Sequence, residues 1–369
     1  MKTVVISLLL AVIILTSCNV FPGTNESSNS NKNSGMAGYD PAVPLEIIES
    51  PTTDIPFTGV NVMNSSDTLF ASYDKFIFPC NGGYYYSIEV GGRDGPNRLF
   101  VFDNGDGSVE ATSAGEDYVA MWVRENAIYG YKRNDFIGKT DMILLEYAND
   151  TLTSLDIEFS RVFFARDNIY FCNSTAPIIY KANYDGGNIQ KVMQLDESAV
   201  EIESIMVYKN KILYEYINNI EPNANTHFAV YDTITQEIFM FDRGGMDLIN
   251  GDYSYYMNNR TRSGTEYDGL LYRFDCNTFS IEQISSARIE AYGFFDDYLL
   301  YATEGILYRL NDNENKKILS ISQLGDANYF MGIQVQNGQI FIQGGAGAYY
   351  VYLAEINIDG TIVRKIHED

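Results

Sequence analysis

Residues that could act as acids, bases or nucleophiles are few in this sequence and stand in no recognised catalytic arrangement. The chain has 2 histidines, His227 and His367, so a zinc site would need thiols and carboxylates from scattered segments. There is no G-x-S-x-G elbow for a serine hydrolase. Asp and Glu are common, but no motif singles out the carboxylate pair that a glycoside hydrolase requires. We therefore predict no catalytic residue, no metal site and no cofactor.

One acidic segment has a superficial likeness to a calcium-binding loop. It reads Asp103-Asn104-Gly105-Asp106-Gly107-Ser108, and the third and fifth positions are glycines where an EF-hand needs oxygen ligands. The segment stands where the neighbouring repeats have a turn. We predict a hairpin turn here, without a bound ion.

Cys18 is the residue with the clearest predicted chemistry. Lys2 and the apolar run Val4–Leu15 form a signal-peptide pattern, and the run is too short to cross a bilayer. The residues Leu15-Thr16-Ser17-Cys18 that follow resemble a lipobox. This resemblance implies cleavage before Cys18, a diacylglycerol on its thiol and a protein anchored by that lipid in the cell membrane, facing the extracytoplasmic side. An ordinary secretory signal with a coincidental cysteine is the alternative.

The remaining cysteines, Cys80, Cys172 and Cys276, are odd in number and fall in different repeats of the chain. Non-neighbouring repeats would hold their Cα atoms too far apart for a disulfide. We predict no disulfide bond and three thiols that serve mainly as buried packing residues.

The elements that would position any site come from a repeat. Pairs of apolar and aromatic residues recur about every 40–45 residues, usually just after a short polar turn. They are Tyr84–Tyr86, Ile128-Tyr129, Ile169-Tyr170, Leu213-Tyr214, Tyr255-Tyr256, Leu300-Tyr301 and Ile340-Phe341. Each is followed by a second apolar strand, an Asp/Asn/Gly turn and a further strand.

This rhythm predicts an all-β fold, a single β-propeller of seven four-stranded blades, with six or eight as alternatives. A pair of β-sandwiches or an open solenoid would explain the spacing less well. We divide the chain into a signal peptide (1–18), a disordered Asn/Ser/Gly-rich tether (19–40), a segment (41–75) that lies along the propeller or adds an edge strand, and the propeller (76–369).

The third repeat carries a family resemblance. Ile169-Tyr170-Phe171-Cys172-Asn173 and the later Ile179-Tyr180-Lys181-Ala182-Asn183-Tyr184-Asp185-Gly186-Gly187-Asn188 are similar to the YWTD repeat of low-density-lipoprotein-receptor-type propellers. The whole chain resembles bacterial lipoproteins that bear propellers of this kind. The resemblance implies the fold. The other repeats keep the strand rhythm without the signature, so it implies no particular ligand.

Charge excludes one class of partner. The formal net charge is -24, which repels nucleic acid and anionic headgroups and keeps the protein dispersed outside the cell. We predict no nucleic-acid partner, a monomeric domain and no membrane contact other than the lipid on Cys18.

The predicted connections between second and third strands gather on one face of a propeller, and four of them are long. They are 91–98, 132–141, 218–226 and 258–268. These loops hold 7 of the 25 basic residues beside 6 acidic ones, so the face is near neutral on an acidic body. We select Arg93, Arg133, Arg260 and Arg262 as candidate contacts to a polar or anionic ligand. Loop charges that only aid solubility are the alternative.

Three functions fit this sequence. The first is a binding or interaction module for a protein, peptide or glycan at that face. The second is a glycoside hydrolase or lyase with carboxylates at the channel mouth. The third is an accessory or sensory subunit of an envelope complex.

Overall fold

The computed structural model describes the propeller in segments. They are residues 69–70, 75–90, 97–104, 109–111, 118–132, 141–174, 176–195, 199–218, 226–241, 245–257, 269–311, 314–346 and 350–367. The chain divides into two units, Met1–Pro51 and Thr52–Asp369, and all described residues belong to the second. The predicted signal peptide and tether lie outside the described residues.

Seven antiparallel sheets account for the described strands, which confirms the predicted seven-bladed propeller. Blade one is β2 (Ile77–Cys80), β3 (Gly83–Val90), β4 (Asn97–Asp103) and β5 (Val109–Ala111). Blade two is β6 (Tyr118–Arg124), β7 (Ala127–Lys132), β8 (Met142–Ala148) and β9 (Thr151–Phe159). Blade three is β10 (Arg161–Phe164), β11 (Ile169–Asn173), β12 (Ala176–Ala182) and β13 (Gln190–Gln194). Blade four is β14 (Ala199–Tyr208), β15 (Lys211–Asn218), β16 (Thr226–Asp232) and β17 (Ile238–Phe241).

The second half of the ring continues the same order. Blade five is β18 (Leu248–Asn250), β19 (Tyr253–Met257), β20 (Leu271–Asp275) and β21 (Ile281–Gln283). Blade six is β22 (Ala291–Phe295), β23 (Tyr298–Thr303), β24 (Ile306–Leu310) and β25 (Asn315–Ser320). Blade seven is β26 (Tyr329–Gln336), β27 (Gln339–Ala346), β28 (Tyr350–Ile356) and β29 (Ile362–His367). A short 3₁₀ helix (Ile321–Leu324) follows blade six.

Every described blade contains four consecutive strands, and the first of the four is the innermost, except in blade five, where a further strand lies inside it. First strands of adjacent blades contact one another, for example β2 with β6, β22 with β26, and β2 with β26. The last of these contacts joins blade one to blade seven and closes the ring. No strand among those described is shared between the two ends of the propeller, so the ring is closed by side chains and packing.

The polar turns that the sequence places before the second strands have the backbone that such turns require. Positive φ angles occur at Gly82, Glu125, Lys209, Asp296 and Asn337, between 50° and 90°. Two-residue hairpins need this left-handed conformation because it matches the right-handed twist of the strands. The predicted turn chemistry therefore sets the register of the first and second strands.

The core lies in the gaps between blades, where aromatic residues predominate. Trp122 of blade two stacks on Phe164 of blade three with 5.5 Å between ring centroids. Tyr255 of blade five contacts Phe294 of blade six at 4.7 Å. Such pairs contribute about 1 kcal/mol each beyond the apolar area they bury. Apolar residues alternate along Tyr118–Arg124, a pattern that predicts a core position for Trp122, and 8% of its surface is exposed.

A short strand before blade one joins a different blade. β1 (Leu69–Phe70) pairs antiparallel with β18, with Leu69 opposite Ile249 and Phe70 opposite Leu248. The sheet of blade five therefore has five strands, and the added one is on its inner edge. Within the described residues, no helix is long and apolar enough to cross a membrane.

Candidate functional site

One face of the ring brings together the ends of the second strands, the starts of the third strands and the starts of the first strands. We call it the loop face. The bases of the four long predicted loops are on it, because β3, β7, β15 and β19 end there and their partner strands begin there. The antiparallel blades thus place these four loop bases around one mouth of the central channel.

The candidate binding residues themselves are not placed by the structure. Arg93, Arg133, Arg260 and Arg262 lie outside the described residues, as does Cys18. The structure describes where their loops leave and rejoin the blades, and it leaves their contact with a ligand as a prediction.

Glu290 shows how carboxylates at the loop face are used. One carboxylate oxygen accepts a hydrogen bond from the backbone N–H of Gly305 at 2.9 Å, in the turn of blade six. The other accepts from the N–H of Phe330 at 3.1 Å, in the first strand of blade seven. Hydrogen bonds to an ionised acceptor are stronger than neutral ones. Glu290 therefore joins two blades at the mouth of the channel.

Two aspartates make the same kind of connection elsewhere on the loop face. Asp141 accepts hydrogen bonds from the N–H and the hydroxyl of Ser174 at 2.7 and 2.9 Å, which joins blade two to blade three. Asp247 accepts from the N–H of Met257 at 2.8 Å and from the hydroxyl of Tyr292 at 3.2 Å, which joins blade five to blade six. These carboxylates hold the scaffold together.

Lys75 is a cation at the start of blade one, where the first strand begins on the loop face. Its Nζ lies 5.2 Å from the ring centroid of Phe78 and 5.1 Å from that of Trp122. Burial lowers the pKa of this ammonium from its ordinary value to about 8. The two rings offset part of the cost of desolvating the charge.

A cleft of about 370 Å³ lies between blade two and blade three. Blade three supplies Phe171, Asn173 and Tyr180 to its wall, and blade two supplies Asp156 and Glu158. The rings of Phe171 and Tyr180 are stacked at 5.4 Å. Its volume is at the low end of the range for small-molecule pockets, about 300–1,000 Å³, so it could accommodate only a small group.

The described thiols are poorly suited to chemistry. Cys172 and Cys276 are buried, and burial raises the pKa of each thiol to about 12. Burial also raises the pKa of Cys80, which is partly exposed. A thiol must lose its proton to act as a nucleophile, so burial disfavours nucleophilic chemistry at these cysteines.

Metal-ligating side chains do not converge within the described part of the chain, where no group of three or more His, Cys, Asp and Glu could hold an ion. His227 is half-buried on β16 and stacks on Tyr216 at 5.3 Å between ring centroids. Its Nε2 is buried and has no hydrogen-bond partner among the described residues. The ring therefore packs as part of blade four.

A polar network between blade one and blade seven is not visible from the sequence. Gln334 of blade seven accepts hydrogen bonds from the N–H groups of Phe76 and Ile77 at 2.9 Å each, and donates to the carbonyl of Ile77 at 2.6 Å. Arg364 of blade seven pairs with Asp103 of blade one at 2.5 Å. We call these residues the seam. They are more than 250 positions apart, so no local pattern could reveal them.

Comparisons with known proteins support the fold. A scan against family models and a search of curated proteins found no match. The chain is similar to the β-propeller domain of the Trilobed protease from Pyrococcus furiosus, with an open velcro topology (12% identity, TM-score 0.53, 81% of this chain and 99% of that one). It is also similar to a puromycin hydrolase (10%, 0.49, 84% and 56%) and to BamB from Moraxella catarrhalis (10%, 0.42, 78% and 95%). At these identities the likeness shows a propeller and nothing about a ligand.

Proposed function

We propose that this protein is a lipid-anchored, extracytoplasmic propeller that binds a protein or peptide partner at its loop face. The observation that carries the proposal is the convergence of four long-loop bases on one mouth of a rigid ring. Loops held by a rigid scaffold are where propellers and similar folds present binding residues. The arginines of these loops would give that face a local charge unlike the acidic body, which favours polar or acidic groups on the partner.

The hydrogen bonds that the loop-face carboxylates already accept favour binding over hydrolysis as the function. A glycoside hydrolase needs two carboxyl groups about 5–10 Å apart and free to act on a substrate. Asp141 and Glu290 at the loop face both accept backbone N–H groups of the adjacent blade. Their geometry serves blade-to-blade contact, so these two described carboxylates of the loop face give the hydrolase no support.

The loop arginines provide the first test. Replacing Arg93, Arg133, Arg260 and Arg262 with alanine should reduce cross-linking to envelope partners in intact cells by at least about tenfold, since binding hot spots are enriched in arginine and the loss of a single one costs about 2 kcal/mol. The matched control replaces four exposed lysines of the outer strands, Lys191, Lys316, Lys317 and Lys365. Equal cross-linking by the two variants would exclude the loop face as the binding surface.

The lipid on Cys18 provides the second test. We expect Cys18→Ala to abolish incorporation of an alkyne-labelled fatty acid and to leave an uncleaved precursor, because the signal peptidase acts on the lipidated cysteine. Cys80→Ala is the control, and labelling should be unchanged. Label retained in the Cys18→Ala protein would contradict the assignment.

A further inference from the structure

The inner edge of blade five differs from the inner edges of the other described blades because it already holds a strand. β1 adds to β18 in antiparallel register, through Leu69 opposite Ile249 and Phe70 opposite Leu248. Each of the other six described sheets ends at its own first strand. An edge strand exposes unpaired N–H and C=O groups, which makes it a template for a further strand.

The strand at this edge is suited to being covered. Leu248, Ile249 and Asn250 make up all of β18, and each is at most 3% exposed. Buried backbone groups without hydrogen-bond partners cost free energy, so an apolar inner strand is stabilised by a strand laid along it. An added strand is held by its main chain, and this type of recognition accepts many sequences.

β1, the strand that now occupies the inner edge of blade five, is short. β1 has 2 residues, whereas β15 inside blade four pairs with β14 along 8 positions. Such a short ladder is weak by itself, and its occupancy depends on being tethered to the same chain. Tethering of this kind corresponds to an effective concentration of about a millimolar. A longer extended segment, or one present at high local concentration, can compete with it.

The chain that follows β1 is anchored independently of that strand. Phe70 is on blade five, and Phe76 donates its N–H to Gln334 of blade seven. The six chain steps from Phe70 to Phe76 keep these two points within about 22 Å of each other. Removing β1 therefore leaves the contacts of the seam in place, and the ring should still close.

From this pairing we propose that the inner edge of blade five is a strand-addition site for an extended segment of a partner protein, which Leu69–Phe70 occupies until the partner displaces it. The partner segment would be extended, would carry apolar residues and would pair antiparallel with Leu248–Asn250. The segment itself would be neutral or basic, since the body of the propeller is strongly acidic, and acidic groups of the partner would lie outside this segment, at the loop arginines. This inference rests on the proposed binding function and specifies where and how binding occurs.

The first experiment uses the protein's own segment as a probe. In the full-length chain, Leu69→Pro with Phe70→Pro removes the N–H groups of β1, and Ser27→Pro with Ser28→Pro in the tether is the matched control. A fluorescent peptide of residues 64–73 is added, and its anisotropy is measured. We expect the β1 variant to bind it at least about tenfold more tightly than the wild type or the control. The same peptide with two prolines in place of Leu69 and Phe70 should not bind.

The result that overturns the proposal is a β1 variant that keeps the wild-type unfolding temperature and binds the peptide no better than the control. If that variant does not fold, the proposal is tested with a second, locked variant, in which a disulfide holds β1 on β18. Leu69→Cys with Ile249→Cys joins two directly opposed residues, and its oxidised form should lose partner cross-linking that reduction restores. Cross-linking unaffected by the lock would also overturn it.

The two proposals can fail separately. If the alanine variant of the loop arginines loses cross-linking while the locked variant keeps it, the loop face binds the partner and strand addition does not contribute. If neither variant changes cross-linking, the proposed binding function fails as well.

Discussion

Lys75 shows what burial does to a single charged residue in this ring. Its ammonium packs on Phe78 and Trp122, and burial lowers its pKa to about 8. An unfolded chain has a lysine pKa of about 10.4. Between about pH 8 and about pH 10.4 the unfolded state binds more protons than the folded state, so the free energy of unfolding rises with pH in that window. Below it, the desolvated charge opposes folding.

We expect Lys75→Met to raise the free energy of unfolding by about 2 kcal/mol at pH 7, because methionine fills the same space without a charge. The gain over the wild type should shrink as the pH rises from about 8 to about 10. Urea unfolding of both proteins at several pH values measures this difference.

Lys316→Met, at an exposed position of β25, is the control and should change stability little at any pH. A loss of stability in Lys75→Met at pH 7 would show that the ring contacts outweigh the cost of burial, and a gain that does not depend on pH would show that it comes from packing and not from the buried charge.

The sequence predicts single residues well where their role follows from strand position. The alternation of its strand predicts Trp122 in the core, and it is buried. The same reasoning assigns Asp103 to a turn, although its carboxylate is buried against Arg364. Its partner is in the last blade, and charge pairing over that separation leaves no local pattern.

At the scale of elements, the turn after β12 joins two blades. Gly186 has a φ of +79°, and a Cβ there would lie 2.4 Å from the carbonyl oxygen of Leu155 in blade two. Tyr184 in the same turn donates a hydrogen bond to the carbonyl of Ala165 at 2.6 Å. The Asp-Gly step that predicts a hairpin thus also allows blade three to approach blade two.

Gly186→Ala should be more destabilising than an alanine at an open glycine of similar backbone. Gly338 has a φ of +74°, and a Cβ at that position would meet no atom within 4 Å, so Gly338→Ala costs about 1 kcal/mol through backbone strain alone. We expect Gly186→Ala to cost about 2 kcal/mol more, because the added methyl group overlaps Leu155. Equal losses of unfolding free energy in Gly186→Ala and Gly338→Ala would show that Leu155 of blade two can move aside at no energetic cost.

The periodic strand pattern predicts the blades, but it does not predict irregular elements such as β1. Second and third strands follow from period-two apolar runs and two-residue turns, and β7, β11 and β15 begin within a few residues of those predictions. β1 has 2 residues, which is too short to produce a pattern. Its pairing with blade five depends on the closed ring, so the sequence leaves open whether this segment adds a strand.

At the scale of the whole molecule, the ring depends on the seam between its first and last blades. Arg364 contacts Asp103 of blade one at 2.5 Å and Glu355 of blade seven at 2.7 Å. Phe341 and Leu353 of blade seven pack with Ile77 in the same gap. Side chains do here what a shared strand does in other propellers.

Arg364→Met should lower the free energy of unfolding by about 2–3 kcal/mol, since it leaves the buried Asp103 carboxylate without its guanidinium. Arg309→Met is the matched control. Its pair with Glu314 at 3.2 Å is within blade six and partly exposed, so the loss should be about 1 kcal/mol or less. Denaturation with urea, which is uncharged, avoids screening the pair. Equal losses would mean that the seam pair contributes no more than a surface pair.

The candidate site is predictable only as a location. Blade order is enough to assign the four long loops to one face, because every second strand ends on that face. Which loop residues meet a partner depends on loop conformations that strand periodicity does not determine, and Arg93 and Arg133 therefore remain predictions.

The assembly of each blade from consecutive strands has a consequence for folding during synthesis. A chain that is made from its N-terminus can complete each blade as it appears, since no blade waits for a later, distant strand. Blade one is the exception at one flank. Its apolar side, with Ile77 and Tyr86, stays uncovered until Phe341 and Leu353 arrive more than 250 residues later. A nascent chain of this design exposes one apolar flank throughout translation, and a chaperone that binds apolar surface would find its target there.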